Sequence, residues 1–199
     1  MEDKLKTLFP TLKASNKPSV VWLCDVSDDK AVTKIGQVIM RNEPVGLGLK
    51  RFNCFRVDVL GMPEGDLRKK YEKEAQAFYF FDPALNQTSR LAGKRAMSLS
   101  AFNSCLGKTW SKTFTVKLKA FQKSMKDILD RLDKLDGQKQ VLNRKRAKLA
   151  EKPNPGKQRA LDAELKRFEE ERTKVEEDER AIQESCTLQP EFLPQKDEE

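Results

Sequence analysis

"AQAFYFFDPALN" (residues 75–86) holds five consecutive apolar or aromatic residues, Ala77–Phe81, closed by Asp82-Pro83. The run does not alternate. A strand that is apolar at every position is covered on both faces. Proline cannot donate to a ladder, so Asp82-Pro83 ends the strand in a turn. A doubly covered strand needs further strands beside it and helices above and below it, and the flanking sequence supplies both.

Upstream, "SVVWLCDV" (residues 19–26) is a second continuous apolar run. It leads into "SDDKAVTKIGQVIM", where Ser27 and Asp28 suit a helix cap and Val32, Ile35, Val38 and Ile39 recur at helical spacing. "EPVGLGLKR" (residues 43–51) carries Pro44, Gly46 and Gly48, so the helix is expected to break there into a flexible connection. "FNCFRVDVL" (residues 52–60) predicts another strand, and "GMPEGDLRKKYEKE" a turn with a short charged helix. Alternating strands and helices predict a mostly parallel sheet with helices on its faces. Residues 88–109 suit a short edge strand and then a helix from about Ser98, with Gly107 near its end.

From residue 118 the period changes. Leu118, Phe121, Met125, Ile128, Leu132 and Leu135 step by three and four, and the seam continues through Lys139, Leu142, Arg146 and Leu149. "EKPNPGK" stops this helix with Pro153, Pro155 and Gly156. A second seam runs Leu161, Leu165, Phe168, Arg172, Val175, Glu179, Ile182 and Cys186. One sharp break between two amphipathic helices predicts an antiparallel hairpin. Counting outward from the turn pairs Leu149 with Leu161, Leu142 with Phe168, Leu135 with Val175 and Ile128 with Ile182. Gly137 lies inside the first helix and weakens it.

Charge is spread unevenly along the 199 residues: net +6 over residues 1–111, +10 over 112–159 and −8 over 160–199. A basic helix beside an acidic one favours their pairing. Near the turn, Lys139, Arg144, Lys145, Arg146, Lys148, Lys152, Lys157 and Arg159 face only Glu151. This basic tip is a candidate contact for an anionic partner, a nucleic acid included, because lysine and arginine clusters bind phosphate backbones without reading sequence. No aromatic residue interleaves with these charges, so base stacking has no support.

Several functions are excluded. There is no histidine, which removes every His-based triad or metal site. Cys24, Cys54, Cys105 and Cys186 are scattered, with no C-x-x-C. Cys24 and Cys54 lie in strand-like runs and read as small buried hydrophobes. Gly46 and Gly48 do not form a phosphate loop, since the segment precedes a strand and lacks the Gly-Lys-Ser/Thr end. Asp28, Asp29, Glu64 and Asp66 suit helix N-termini, where negative charge opposes the dipole. No catalytic residue, metal ligand or cofactor site is read. No apolar run approaches the roughly 20 residues that span a bilayer, and the N-terminus does not read as a secretory signal. A cytoplasmic protein is expected.

The N-terminal segments resemble the thioredoxin-like superfamily. Lys17-Pro18 opens an apolar strand, Val57-Asp58-Val59 ends the second, and Phe80-Phe81-Asp82-Pro83 with Asn86 closes the third. The resemblance covers about residues 15–110 and implies a three-layer α/β/α sandwich. It also implies a C-x-x-C after the first strand, where this chain has "SDDKA" (residues 27–31). It implies a cis-proline before the third strand, where this chain has Gln76, and a trans peptide is expected there. Without a dithiol the implied exchange chemistry fails.

The expected architecture is therefore α/β: an N-terminal arm over 1–14, a thioredoxin-like domain over 15–110, an antiparallel coiled-coil hairpin over 111–188 turning near 152–157, and a disordered acidic tail over 189–199. The expected function is a non-enzymatic interaction or assembly module, binding a protein partner or itself through the hairpin. Two alternatives stand beside it: a nucleic-acid or ribonucleoprotein-associated protein using the basic tip, and a redox-responsive protein using Cys24 as its reactive thiol.

Overall fold

The computed structural model describes residues 17–62 and 64–193. The expected N-terminal arm lies outside them, as does the end of the expected tail. The chain divides into two compact units, one of residues 1–122 with 187–199 and the other of residues 123–186.

The first unit is mixed α/β. Its elements are β1 (Ser19–Cys24), α1 (Asp29–Ile35, extended by a π-type turn Gly36–Met40), α2 (Glu43–Leu49), β2 (Asn53–Asp58), α3 (Asp66–Glu72), β3 (Ala77–Phe81), β4 (Gln87–Leu91), a 3-10 turn (Gly93–Met97) and α4 (Leu99–Thr113). The sheet order is β2-β1-β3-β4. Only β1 and β2 are parallel, while β3 is antiparallel to both β1 and β4. The expectation of a mostly parallel sheet is corrected here. The sequence shows the doubly covered strands but not their direction, which the connections set.

Both faces of the central strands are covered, as their unbroken apolarity demands. On one face Trp22 stacks on Phe78 at 5.7 Å, and Phe102 of α4 meets Phe78 and Phe80 edge-on at 5.0 and 5.3 Å. Trp110 of α4 is fully buried and donates Nε1–H to the Val116 carbonyl at 2.6 Å. On the other face Val21, Leu23, Tyr79 and Phe81 pack with Tyr71 of α3. At the sheet edge the Thr88 and Thr109 hydroxyls, 2.6 Å apart, tie β4 to α4.

Residues 43–49 form a helix where a flexible break was expected. Asn42 Oδ1 accepts from Val45 N and Pro44 sits in the first turn, where its missing N–H costs nothing. Gly48 is a close-packing position: a Cβ there would meet Leu106 and Leu118 at 3.2 Å. α4 starts at about Ser98 as expected, with the Ser98 side chain as its cap, but the helix runs through Gly107 to Thr113. Cys54, expected to be buried, is a further correction, because the edge strand β2 leaves it exposed. Beyond the helices, Gln189 N–H donates to the Thr113 carbonyl at 2.8 Å, Leu188 bridges Phe114, and Pro190–Phe192 form a 3-10 turn.

The C-terminal part is helical. α5 (Leu118–Glu151) has 34 residues and α6 (Pro155–Ser185) has 31. Asn154 caps α6 by accepting from Lys157 N–H, and Pro155 starts it. Within residues 123–186, Ile128, Leu135 and Val175 form a buried cluster edged by Leu132, Phe168 and Ile182. Ion pairs flank it: Arg131 to Asp178 at 2.6 Å and Lys145 to Glu164 at 2.6 Å. These contacts run α5 and α6 in opposite directions. The polar seam positions Lys139, Arg146 and Arg172 are exposed and Glu179 is half-buried, which spares them a desolvation cost.

Candidate functional site

Two places carry the residues singled out by sequence, one in each unit. The first is the loop after β1. Gln76 occupies the turn into β3 with φ of 61°, a left-handed conformation that a non-glycine residue rarely adopts. It is buried, and its Nε2 donates to the Asp25 carbonyl at 3.0 Å. The amide thus ties the β3 approach to the β1–α1 loop. Its Oε1 meets no donor among the described residues. No cis peptide bond occurs there or elsewhere among the described residues.

The carboxylates of this loop are engaged locally. Asp25 Oδ1 accepts from the Ser27 hydroxyl at 2.6 Å and the Ser27 N–H at 2.8 Å. Those bonds hold its carboxyl below the usual range. Asp28 Oδ1 accepts from Ala31 N–H at 3.1 Å and caps α1. Cys24 is fully buried. Its Sγ donates to the Val57 carbonyl at 3.5 Å and lies 3.3 Å from Arg56 Nε. Arg56 in turn covers the Trp22 ring at 5.0 Å. Thiolate chemistry needs solvent access, which Cys24 lacks. Among the described residues, no group of three or more His, Cys, Asp or Glu is placed to hold a metal.

The second place is the distal half of the hairpin. Lys145, Lys148, Lys152 and Lys157 line one cavity of about 770 Å³ together with Leu149, Pro153, Ala160 and Leu161 and the carboxylates Glu151 and Glu164. Lys139, Arg144, Arg146 and Arg159 are exposed on the same two helices but do not line it. Lys145 is held by Glu164. Among the described residues no carboxylate pairs with Lys148, Lys152 or Lys157. A neighbouring cavity of about 810 Å³ is lined by Leu135, Gly137, Val141, Leu142 and Phe168 within a charged rim.

The sequence pointed to the basic tip but missed three features. The Gln76 tie depends on a backbone twist that composition does not signal. The stacking of Arg56 on Trp22 joins residues that only strand pairing brings together. The apolar floor of the hairpin cavities belongs to residues counted as seam. Val141, which lies off the seam, adds to it and is half exposed. The tyrosines add nothing acid–base at neutral pH, since burial and then the bond to Glu74 push the Tyr79 phenol up.

Among the described residues no helix is long and apolar enough to cross a membrane. No family model matches this chain, and no curated protein or solved structure is significantly similar to it.

Proposed function

We propose that this chain is a non-enzymatic interaction or assembly module: a thioredoxin-like scaffold without thiol chemistry, carrying a coiled-coil arm. The mixed sheet with helices on both faces supports the scaffold reading, as does Gln76 at the turn where that family places its cis-proline. The pairing of α5 and α6 through one apolar cluster supports the coiled-coil reading. One observation carries the function. About a third of the chain, residues 123–186, is a helical pair with few buried side chains, too polar to be a second core. Long helices with so little interior are maintained for their surfaces.

Two measurements on the full-length chain test this. Disulfide reduction should show no turnover above that of a Cys24→Ser variant. Photo-crosslinking residues placed along both faces of α5 and α6 in native cells should yield a discrete adduct. Turnover that depends on Cys24, or an arm that never crosslinks, sinks the proposal.

The basic tip supports a second reading, association with nucleic acid. It requires affinity for generic duplex that falls steeply as salt rises. The buried Cys24 thiol leaves the redox-responsive reading without support.

A further inference from the structure

We propose that the distal half of the hairpin is a docking groove for an acidic amphipathic α-helix of another protein. This rests on the interaction-module reading and names the partner's chemistry.

The two hairpin cavities adjoin at Glu164, which lines both. On α5 the lining residues Arg131, Lys134, Gln138 and Val141 are continued by Lys145, Lys148 and Lys152. They step by three and four, so they share one helix face. On α6 the groove uses Lys157, Ala160, Glu164, Arg167 and Glu171, with the same steps. At 1.5 Å per residue the α5 stripe is about 32 Å long, the length of a helix of about 20 residues.

The floor and rim specify the occupant. Val141 is 50% exposed, and a Cβ at Gly137 would meet nothing within 4 Å. Leu149 and Phe168 are half-buried. An apolar ridge can therefore lie down beside Gly137 and contact Val141, Leu149 and Phe168. Among the lining residues seven are cationic and three acidic; Arg131 and Lys145 are paired with Asp178 and Glu164, and Lys148, Lys152 and Lys157 near the turn have no carboxylate partner among the described residues. A helix with apolar residues at i, i+3/i+4 and i+7, flanked by Asp and Glu, matches both features.

Two other occupants match less. Duplex nucleic acid would meet the lysines but leave the apolar floor unused. A second copy of this chain offers acidic side chains on α6, yet Leu161 and Val175 of that helix are buried in its own pair and Leu165, Phe168 and Ile182 are only partly exposed.

The test is fluorescence anisotropy with the full-length chain at physiological salt. The probes are a labelled Glu/Leu/Ala peptide of about 20 residues with leucines at helical spacing, a permuted peptide of equal composition, and a duplex of about 20 base pairs. The patterned peptide should bind at least about ten-fold tighter than either rival. Val141→Glu, and separately Lys148→Glu with Lys152→Glu, should each weaken it by about ten-fold or more, with helix content by circular dichroism unchanged. Equal binding of the two peptides, tighter binding of duplex, no binding at ~100 µM, or indifference to Val141→Glu each overturns the proposal. A crosslink from the opposite face of the arm, with no peptide binding, removes the groove and keeps the interaction module. An arm with no crosslink removes both.

Discussion

The two units spend their side chains differently. In the α/β unit, residues come from both sides of a sheet and from helices on each face, and Trp110, Phe78, Phe80 and Phe102 are all fully buried. In the hairpin each helix buries one narrow stripe, and the other side chains stay in water. The residues 123–186 include only a handful below a tenth exposed, among them Leu135, Leu142, Leu161 and Val175. A sheet with two covered faces saturates its apolar surface. A pair of helices leaves each with three open sides. The first arrangement buries most of its large apolar side chains; the second leaves most of its side chains in water.

The largest test of this contrast is in the α/β core. Trp110→Ala removes a side chain packed on Phe114 at 4.4 Å and Phe121 at 5.0 Å. It should cost about 3–5 kcal/mol by urea denaturation. A loss under about 1 kcal/mol means the aromatic layer is not the core's keystone. In the hairpin, Leu135→Ala should cost about 2–3 kcal/mol. By hydrogen exchange that loss should fall on amides of residues 123–186 and leave the sheet protected. Equal loss in the sheet breaks the division into two units.

Smaller effects sharpen it. Gln76→Ala keeps the left-handed backbone and loses the amide bond to Asp25, for about 1 kcal/mol. A neutral result would mean the tie is not needed to hold the loop. Gly137→Ala adds a methyl into open space inside a helix and should stabilise the arm by about 0.5–1 kcal/mol. Destabilisation would reveal a contact at that face. The smallest effect is the pH dependence of the β1–α1 loop. Asp25 titrates below its ordinary value in the fold, so its contribution is present above that value and fades as pH falls through the lower one. Asp25→Asn should therefore change stability slightly at neutral pH and remove a small loss below about pH 4. Carbon-detected NMR titration of the carboxyl checks the sign.

Much of this was legible in the residues because it is periodic. The unbroken run Ala77–Phe81 announced a strand covered on both faces, and each of its five residues is buried. The three-four spacing beyond Leu118 announced long helices, and the Pro-rich break gave their turn. Aperiodic features were not legible. Residues 43–49 read as a break because glycine and proline are weak helix formers in isolation, yet capping by Asn42 and packing of Gly48 against Leu106 outweigh propensity. The basic tip was visible as charge, whereas its apolar floor was not, since no pattern says which side of a helix stays unpartnered.

What the sequence determined alone were the local choices set by side-chain spacing and chemistry. These are the strand cores, the helix seams, the cap at Asp28, and the absence of histidine and of a C-x-x-C pair. What only the tertiary structure decided were the direction of β3, the twist that lets Gln76 reach Asp25 and the exposure of Cys54. Each of these depends on which residues distant in the chain become neighbours. Chain closure sets that, and no local spacing encodes it.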